Sequence, residues 1–323
     1  LESNPIALTT NNNENPTWPS KGEIQFNDVY MKYREGTEHI LKGISFTIKP
    51  GEKIGCVGRT GAGKSSIIQA LFRMIELDKT ASPHSSIMID GEDISKLGLH
   101  TLRQNISIIP QIPCVFSGSV RRNLDPLNVY TEEQVINALQ ETGLWDYVKS
   151  LPQGLNTEMN NSSSVFSVGQ KQLICFARAL LQKNKILVLD EATANVDFET
   201  DNFIQKLLME KFKGSTIFTI AHRLSTIANY DKVLVLDQGK VVEFDHPYLL
   251  LVRGIRDRSI TNSHGVFSSM VLNTGMKHSA VILEIARTSF FKKSDNDDDS
   301  SSMNVGSKVL DIKGFSSKVL NDN

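Results

Sequence analysis

Short apolar runs closed by turn residues alternate along this chain with stretches whose apolar positions recur every three or four residues, a pattern that predicts strands and helices in alternation. Ile24, Phe26 and Val29 alternate with polar neighbours, and residues 40–48 continue in β fashion up to a Pro50-Gly51 turn, so an antiparallel β layer is expected first. Residues 53–57 read as a short buried strand, and residues 66–72 carry helical apolar spacing. A strand and turn follow at 86–91, then a buried strand at 106–109 that ends at Pro110-Gln111. Between 119 and 151 the apolar positions Val135, Leu139, Trp145, Val148 and Leu151 fall at helical intervals, predicting a helical insertion into the sheet domain. A further helix opens after Ser167, placed as its cap, with Leu173, Ile174, Ala177, Leu180 and Leu181 on its apolar face. Residues 185–191 form a continuous apolar run ending in two carboxylates, the mark of a strand buried on both faces. Residues 215–221 read as another core strand, and 233–236 with 240–243 as a closing hairpin around Asp237-Gln238-Gly239.

The two ends differ from this middle. Residues 1–20 are polar, with three prolines and the run Asn11 to Asn13, and are expected to be a linker. After Arg253 the periodic signal fades: 266–286 predicts one or two helices, and 292–302, with Asp295 and Asp297 to Asp299, reads as a disordered acidic tail. The expected organisation is therefore a linker (1–20), an α/β domain (21–255) with a helical subdomain at about 112–183, and a partly helical extension (256–323). The 35 basic and 36 acidic residues nearly cancel, so no nucleic-acid partner is expected. Cys56, Cys114 and Cys175 have no metal-ligand spacing and suit a reducing compartment as small buried hydrophobes. No apolar run approaches the roughly 20 residues needed to span a bilayer. With a start at Leu1 and no signal peptide, the chain is expected to be part of a longer polypeptide.

The chemistry centres on Gly58-Arg59-Thr60-Gly61-Ala62-Gly63-Lys64-Ser65-Ser66, the phosphate-loop pattern of Gly, four residues, Gly, Lys and Ser or Thr. Its glycines let successive N–H groups converge on one spot, and the following helix adds its positive end. Lys64 would reach the β- and γ-phosphates of ATP and Ser65 would hold Mg²⁺. Asp190, at the end of the buried run, would face Mg²⁺ through its water shell, and Glu191 would polarise the attacking water as general base. Gln111 and His222 stand at other strand ends, where ligands of open α/β sheets bind; each also reads as an ordinary loop or structural residue. Tyr33 reads either as core packing or as an exposed ring for stacking on adenine. Phe166-Ser167-Val168-Gly169-Gln170 is either a plain helix cap or a second anion seat, and one nucleotide cannot fill two distant seats.

The order phosphate loop, Gln111, Ser-x-Gly-Gln, Asp-Glu, His222 resembles the nucleotide-binding domain of ATP-binding cassette (ABC) transporters over roughly residues 21–250. The resemblance implies a P-loop NTPase core with an antiparallel β subdomain and an inserted α-helical subdomain. It makes 58–66 the Walker A loop, Gln111 the Q-loop, 166–170 the signature, 186–190 Walker B, Glu191 the catalytic glutamate, Ala194 to Asp197 the D-loop and His222 the switch histidine. Gln111 joins Ser65 and Asp190 in the implied metal set, and Tyr33 becomes the adenine-stacking aromatic. Phe116-Ser117-Gly118-Ser119-Val120 and Asn123-Leu124-Asp125-Pro126 look like the second nucleotide-binding domain of the multidrug-resistance-associated (C) subfamily. In that family two such domains pair head to tail, which resolves the two seats, because each signature caps the ATP on the partner's Walker A. Three departures stand out: Ile112 where an acidic residue is common, a longer Asn- and Ser-rich stretch at 158–165, and the extension beyond Arg253.

The expectation is an ATP-binding, ATP-hydrolysing motor domain of a membrane exporter, on the cytoplasmic side, with ATP and Mg²⁺ as cofactors and a second nucleotide-binding domain and transmembrane domains as partners. The alternative is a regulatory ATP sensor of an ABC-type channel or channel regulator. A soluble cassette protein of translation or DNA repair is disfavoured by the subfamily-like signature.

Overall fold

The computed structural model describes residues 18–159, 165–194, 196–221, 223–252 and 265–297. Alternation of apolar and polar residues sets the first layer. Strand β1 (Ile24–Met31) pairs antiparallel with β2 (Leu41–Ile48), Ile24 opposite Ile48 and Phe26 opposite Phe46, and the two phenyl rings stack at 4.5 Å. On its other side β1 takes β4 (Ser86–Ile89), and the short β5 (Glu92–Asp93) completes the order β2-β1-β4-β5. Trp18, inside the stretch expected to be linker, is buried in this layer and donates its indole N–H to the Ile89 carbonyl at 3.1 Å. The Asp90 carboxylate next to it accepts the backbone N–H groups of Lys21, Gly22 and Glu23, which ties the incoming chain to the sheet.

The second sheet has the order β12-β11-β3-β10-β9-β6. Its members β3 (Lys53–Gly58), β6 (Ile106–Ile109), β9 (Ile186–Asp190), β10 (Thr216–Ile220) and β11 (Lys232–Asp237) run parallel, and β12 (Lys240–Asp245) sits at one edge. Side chains leave a strand on alternate faces. Ile54, Cys56, Ile186, Val188, Phe218, Ile220, Leu234 and Leu236 therefore share a core with helix α1 (Lys64–Leu71) and the antiparallel layer. The intervening Ile109, Leu187, Leu189 and Ile217 turn to the other face, covered by α6 (Val168–Gln182) and α7 (Phe198–Lys211). Strand β6, entered from α2 (Leu99–Gln104), is buried as expected at Ile106, Ser107 and Ile109, but it is an edge strand and leaves Ile108 43 % exposed.

The insertion is helical as its periodicity predicts, with α3 (Val120–Leu124), α4 (Glu132–Glu141) and α5 (Trp145–Ser150), plus a two-residue ladder of β7 (Gly118–Ser119) with β8 (Glu158–Met159). Thr131 and Gln134 start α4 with a reciprocal capping box. Val120, Leu124, Val135, Leu139, Val148, Met159 and Phe166 form its core together with Ile174 and Ala177 of α6. Helix α6 thus serves two cores, because Cys175, Phe176 and Ala179 pack instead on the parallel sheet. The single apolar face expected for it is really two, and Leu173 and Leu180 are only partly buried.

Residues 224–230 and 245–297 form a separate unit. It contains α8 (Leu224–Ile227), a helical turn at 247–252, α9 (Val266–Leu272) and α10 (Met276–Asp297). Phe267, Val271, Ile282 and Ala286 are buried within it, and the rings of His246 and Tyr248 pack on Phe290. Helix α10 continues through Asp297, into the stretch whose composition predicted disorder; residues 298–323 lie outside the described residues.

One side chain closes the insertion onto α6. Fully buried Asn123 accepts the N–H of Phe116 at 3.0 Å and donates to the carbonyls of Phe116 (2.9 Å) and Ser119 (3.1 Å). Arg178 of α6 donates to both the carbonyl and the side-chain oxygen of Asn123 and lies over the Phe116 ring at 4.6 Å. Removing these partners leaves buried polar groups unpaired, each costing about 1–3 kcal/mol. Asn123→Ala should therefore lower stability by about 3 kcal/mol in total. A urea midpoint equal to that of the parent chain would show that the network does not hold the insertion.

Candidate functional site

The carboxyl end of the parallel sheet gathers most of the residues singled out above. Its register brings Leu236 opposite Gly58, and Ile220 opposite both Cys56 and Asp190. From Gly58 the chain leaves β3 into the loop at 59–63, and α1 begins at Lys64. A Cβ at Gly58 would stand 2.4 Å from the Leu236 carbonyl oxygen, so no side chain fits there. Gly63 caps α1 with left-handed backbone (φ 104°), and the Ile67 N–H returns to its carbonyl. Arg59, Thr60, Gly61 and Ser65 are exposed, while Ala62 is buried. The Lys64 ammonium curls back and donates to the carbonyls of Gly58 (2.9 Å) and Arg59 (3.2 Å), which holds a positive charge over the loop. Tyr33 is 48 % exposed, and its hydroxyl shares a 2.9 Å hydrogen bond with buried Ser66. It is not a core residue but a ring standing beside the phosphate loop.

Asp190 ends β9, and burial first, then the neighbouring Glu191 carboxylate, pushes its pKa up, while the Lys64 ammonium pulls it back. Glu191 follows with its N–H on the Ile220 carbonyl (3.0 Å) and left-handed backbone, φ 47°. Two residues beyond the end of β6, the Gln111 amide donates to Glu191 Oε2 at 2.9 Å. Lys64, Asp190, Glu191 and Gln111 are thus one connected group. His222 lies outside the described residues.

The signature stretch forms a second group. Ser167 caps α6, its hydroxyl accepting the Gln170 N–H while the Gln170 side chain accepts the Ser167 N–H. Phe166 is buried against Tyr147, whereas Val168 is 51 % exposed at the first turn. Beside Gly169 lie Thr200 and Asp197, and a Cβ at Gly169 would meet Thr200 at 3.5 Å. Asp197 caps α7 by accepting the Thr200 N–H (2.9 Å) and hydroxyl (2.8 Å), bonds that hold its carboxyl below the usual range. Gly169 and Asp197 therefore meet at the starts of two helices.

The donors Ser65, Gln111 and Asp190 are all oxygens, which suits a hard cation such as Mg²⁺ rather than a soft metal. Among the described residues no group of three or more His, Cys, Asp or Glu is arranged to hold a metal alone, so such an ion would need oxygens from a ligand as well. Sequence reading missed the Asp201–Arg223 ion pair (2.7 Å), which joins α7 to the residue after His222. It missed Arg178 too, although a lone arginine on the otherwise apolar face of α6 was a usable signal.

Residues 41–194 match the protein family described as ABC transporter. The chain is 49 % identical over 272 residues to ABC transporter C family member 3 of Dictyostelium discoideum, covering 84 % of this chain and 18 % of that protein. It is 48 % identical over 278 residues to human ATP-binding cassette sub-family C member 4, covering 86 % of this chain and 20 % of the relative. It therefore spans about a fifth of the curated relatives it matches. A bacterial Atm1-family ABC exporter solved with ATP bound superposes with a TM-score of 0.73 at 30 % identity, over 84 % of this chain and 45 % of that one. The order of motifs along the sheet edge, the two-sheet fold with its helical insertion and these matches together identify the chain as carrying an ABC transporter nucleotide-binding domain of the multidrug-resistance-associated (C) subfamily type.

Proposed function

We propose that this domain binds and hydrolyses ATP with Mg²⁺ as the second nucleotide-binding domain of a membrane exporter, paired head to tail with another such domain of the same polypeptide. The observation that carries this reading is the hydrogen-bonded pair Gln111 and Glu191 at the sheet edge beside Lys64 and Asp190. Lys64 would swing from the carbonyls of Gly58 and Arg59 to phosphate oxygens, exchanging neutral acceptors for charged ones. The backbone N–H groups of 59–65 would line the phosphates, and the Tyr33 ring would cover the adenine. Mg²⁺, when bound, neutralises charge on the phosphate oxygens. Ser65, Gln111 and Asp190 would hold it. Glu191 would take a proton from the attacking water, with Gln111 orienting its carboxylate and His222 bonding the γ-phosphate.

The exposed signature supports the pairing. Ser167 and Val168 are exposed at the start of α6, with Gly169 and Gln170 in its first turn, so the stretch suits a nucleotide held by a partner. No helix among the described residues is long and apolar enough to cross a membrane, so the transmembrane domains would be supplied by other parts of the polypeptide. Attached to them, the domain would face the cytoplasm.

Lys64→Ala should weaken ATP binding by about 10- to 100-fold, since a hydrogen bond to a charged group is worth about 1.5–3 kcal/mol. Titration with a fluorescent ATP analogue reads this, and unchanged affinity in a folded variant contradicts the site. Glu191→Gln should keep affinity but slow phosphate release by about 10² to 10⁴ in the presence of the partner domain. Release at the parent rate would remove Glu191 from the role of base. The chain alone should turn over poorly and accelerate when mixed with the first nucleotide-binding domain of its own protein. Equal turnover per molecule at every concentration, with and without that domain, would rule out a composite site.

A further inference from the structure

Two of the three cysteines contact the same arginine, Arg178 of α6. Cys114 is exposed, and Cys175 is buried on α6. One nitrogen, Nη1 of Arg178, donates to the Cys114 carbonyl at 2.5 Å and lies 3.9 Å from the Cys175 sulfur. A disulfide needs Cα atoms about 4.4–6.8 Å apart, and the shared contact through Arg178 brings the Cys114 backbone and the Cys175 sulfur to the same guanidinium. Cys56, the remaining thiol, is fully buried in β3 of the parallel sheet.

We infer that Cys114 and Cys175 are a reversible oxidation site, closing to an intramolecular disulfide that pins the segment following Gln111 to the signature helix. The oxidant is a peroxide. The Cys114 sulfur, open to solvent, attacks one peroxide oxygen; the O–O bond breaks, and the departing oxygen leaves as water with the thiol proton, giving a sulfenic acid. The Cys175 sulfur then attacks the Cys114 sulfur, the S–O bond breaks, and a second water leaves with the Cys175 proton. Two thiols are oxidised, one peroxide is reduced, and the disulfide is reopened by dithiol exchange. The order of attack follows from the surroundings. Burial raises the Cys175 thiol and keeps it protonated until an electrophilic sulfur is beside it, while the Arg178 guanidinium works the other way and favours the thiolate once that sulfur arrives.

The bond would fix a place already crowded with contacts. Arg178 touches Cys114, Phe116 and Asn123 at once, so the disulfide adds a covalent strut to a joint that hydrogen bonds close in the reduced protein. Gln111, three residues earlier, would lose freedom relative to α6.

The test uses this chain without nucleotide, so its outcome is separate from that of the ATPase reading. The protein is treated with hydrogen peroxide, alkylated, digested without reduction and analysed by mass spectrometry, with free thiols counted in denaturant. The expected result is loss of two of the three thiols, a Cys114–Cys175 linked peptide from monomeric protein, slowed amide exchange at 112–116, and full reversal by dithiothreitol. Cys114→Ser, a change at an exposed position, should fold, lose the linked peptide and leave Cys175 alkylatable. Cys114 carried on to sulfinic acid, or joined to a second chain, while Cys175 stays a free thiol would overturn the proposal. So would a linkage that involves Cys56.

Discussion

The close approach of β3 to β11 at Gly58 governs the rest of the site. The Leu236 carbonyl occupies the place where any other residue would carry a Cβ, so the strand end and the loop start have one relative position available. From that point the chain must turn within a few residues into α1, and the left-handed Gly63 completes the turn. Lys64 is then the first residue of a helix whose start faces its own strand, which is why its ammonium reaches back to the Gly58 carbonyl. Parallel pairing does the remainder. Because β3, β10 and β9 run the same way, their carboxyl ends lie in one row, and Asp190, with Glu191 after it, arrives beside the loop without any contact encoded locally in the sequence.

Most of this was legible because two signals coincide. The period of the apolar residues identified the main strands and the helices after the phosphate loop and after Ser167, though not α2 or α7, and Lys64, Gln111, Asp190 and Glu191 fell near strand ends, where the architecture brings them together. What was not legible has a common physical cause: it depends on which element lies next to which. Ile108 reads as core in sequence, yet β6 is an edge strand and leaves it in the open. Trp18 looks like part of a polar leader until the Ile89 carbonyl supplies a partner for its indole N–H. Arg178 drew no reading from the sequence, yet Asn123 and the carbonyl of Cys114, distant in sequence, make it a partly buried anchor. The Asp201–Arg223 pair is of the same kind. The left-handed backbone of Glu191 had no signal at all, since nothing in a Leu-Asp-Glu run predicts it.

Helix α6 is where the two halves of the domain share material. It buries Cys175, Phe176 and Ala179 in the sheet core and Ile174, Ala177 and Leu181 in the insertion core. A rigid element that belongs to two cores transmits displacement between them, because neither packed surface yields independently. Its first turn carries the signature and abuts Thr200 of α7, while its middle grips the segment that follows Gln111. The stretch at 166–170 and the segment after Gln111 are thus attached to one rod rather than to separate loops.

The backbone of Glu191 has a consequence for which residue suits that position. A non-glycine residue held at φ 47° is strained, typically by about 1–3 kcal/mol, and asparagine or aspartate tolerates that conformation better than glutamate does. On backbone grounds alone an aspartate at position 191 would fold at least as well, so the stability of its own turn is not what holds a glutamate at the mouth of the sheet.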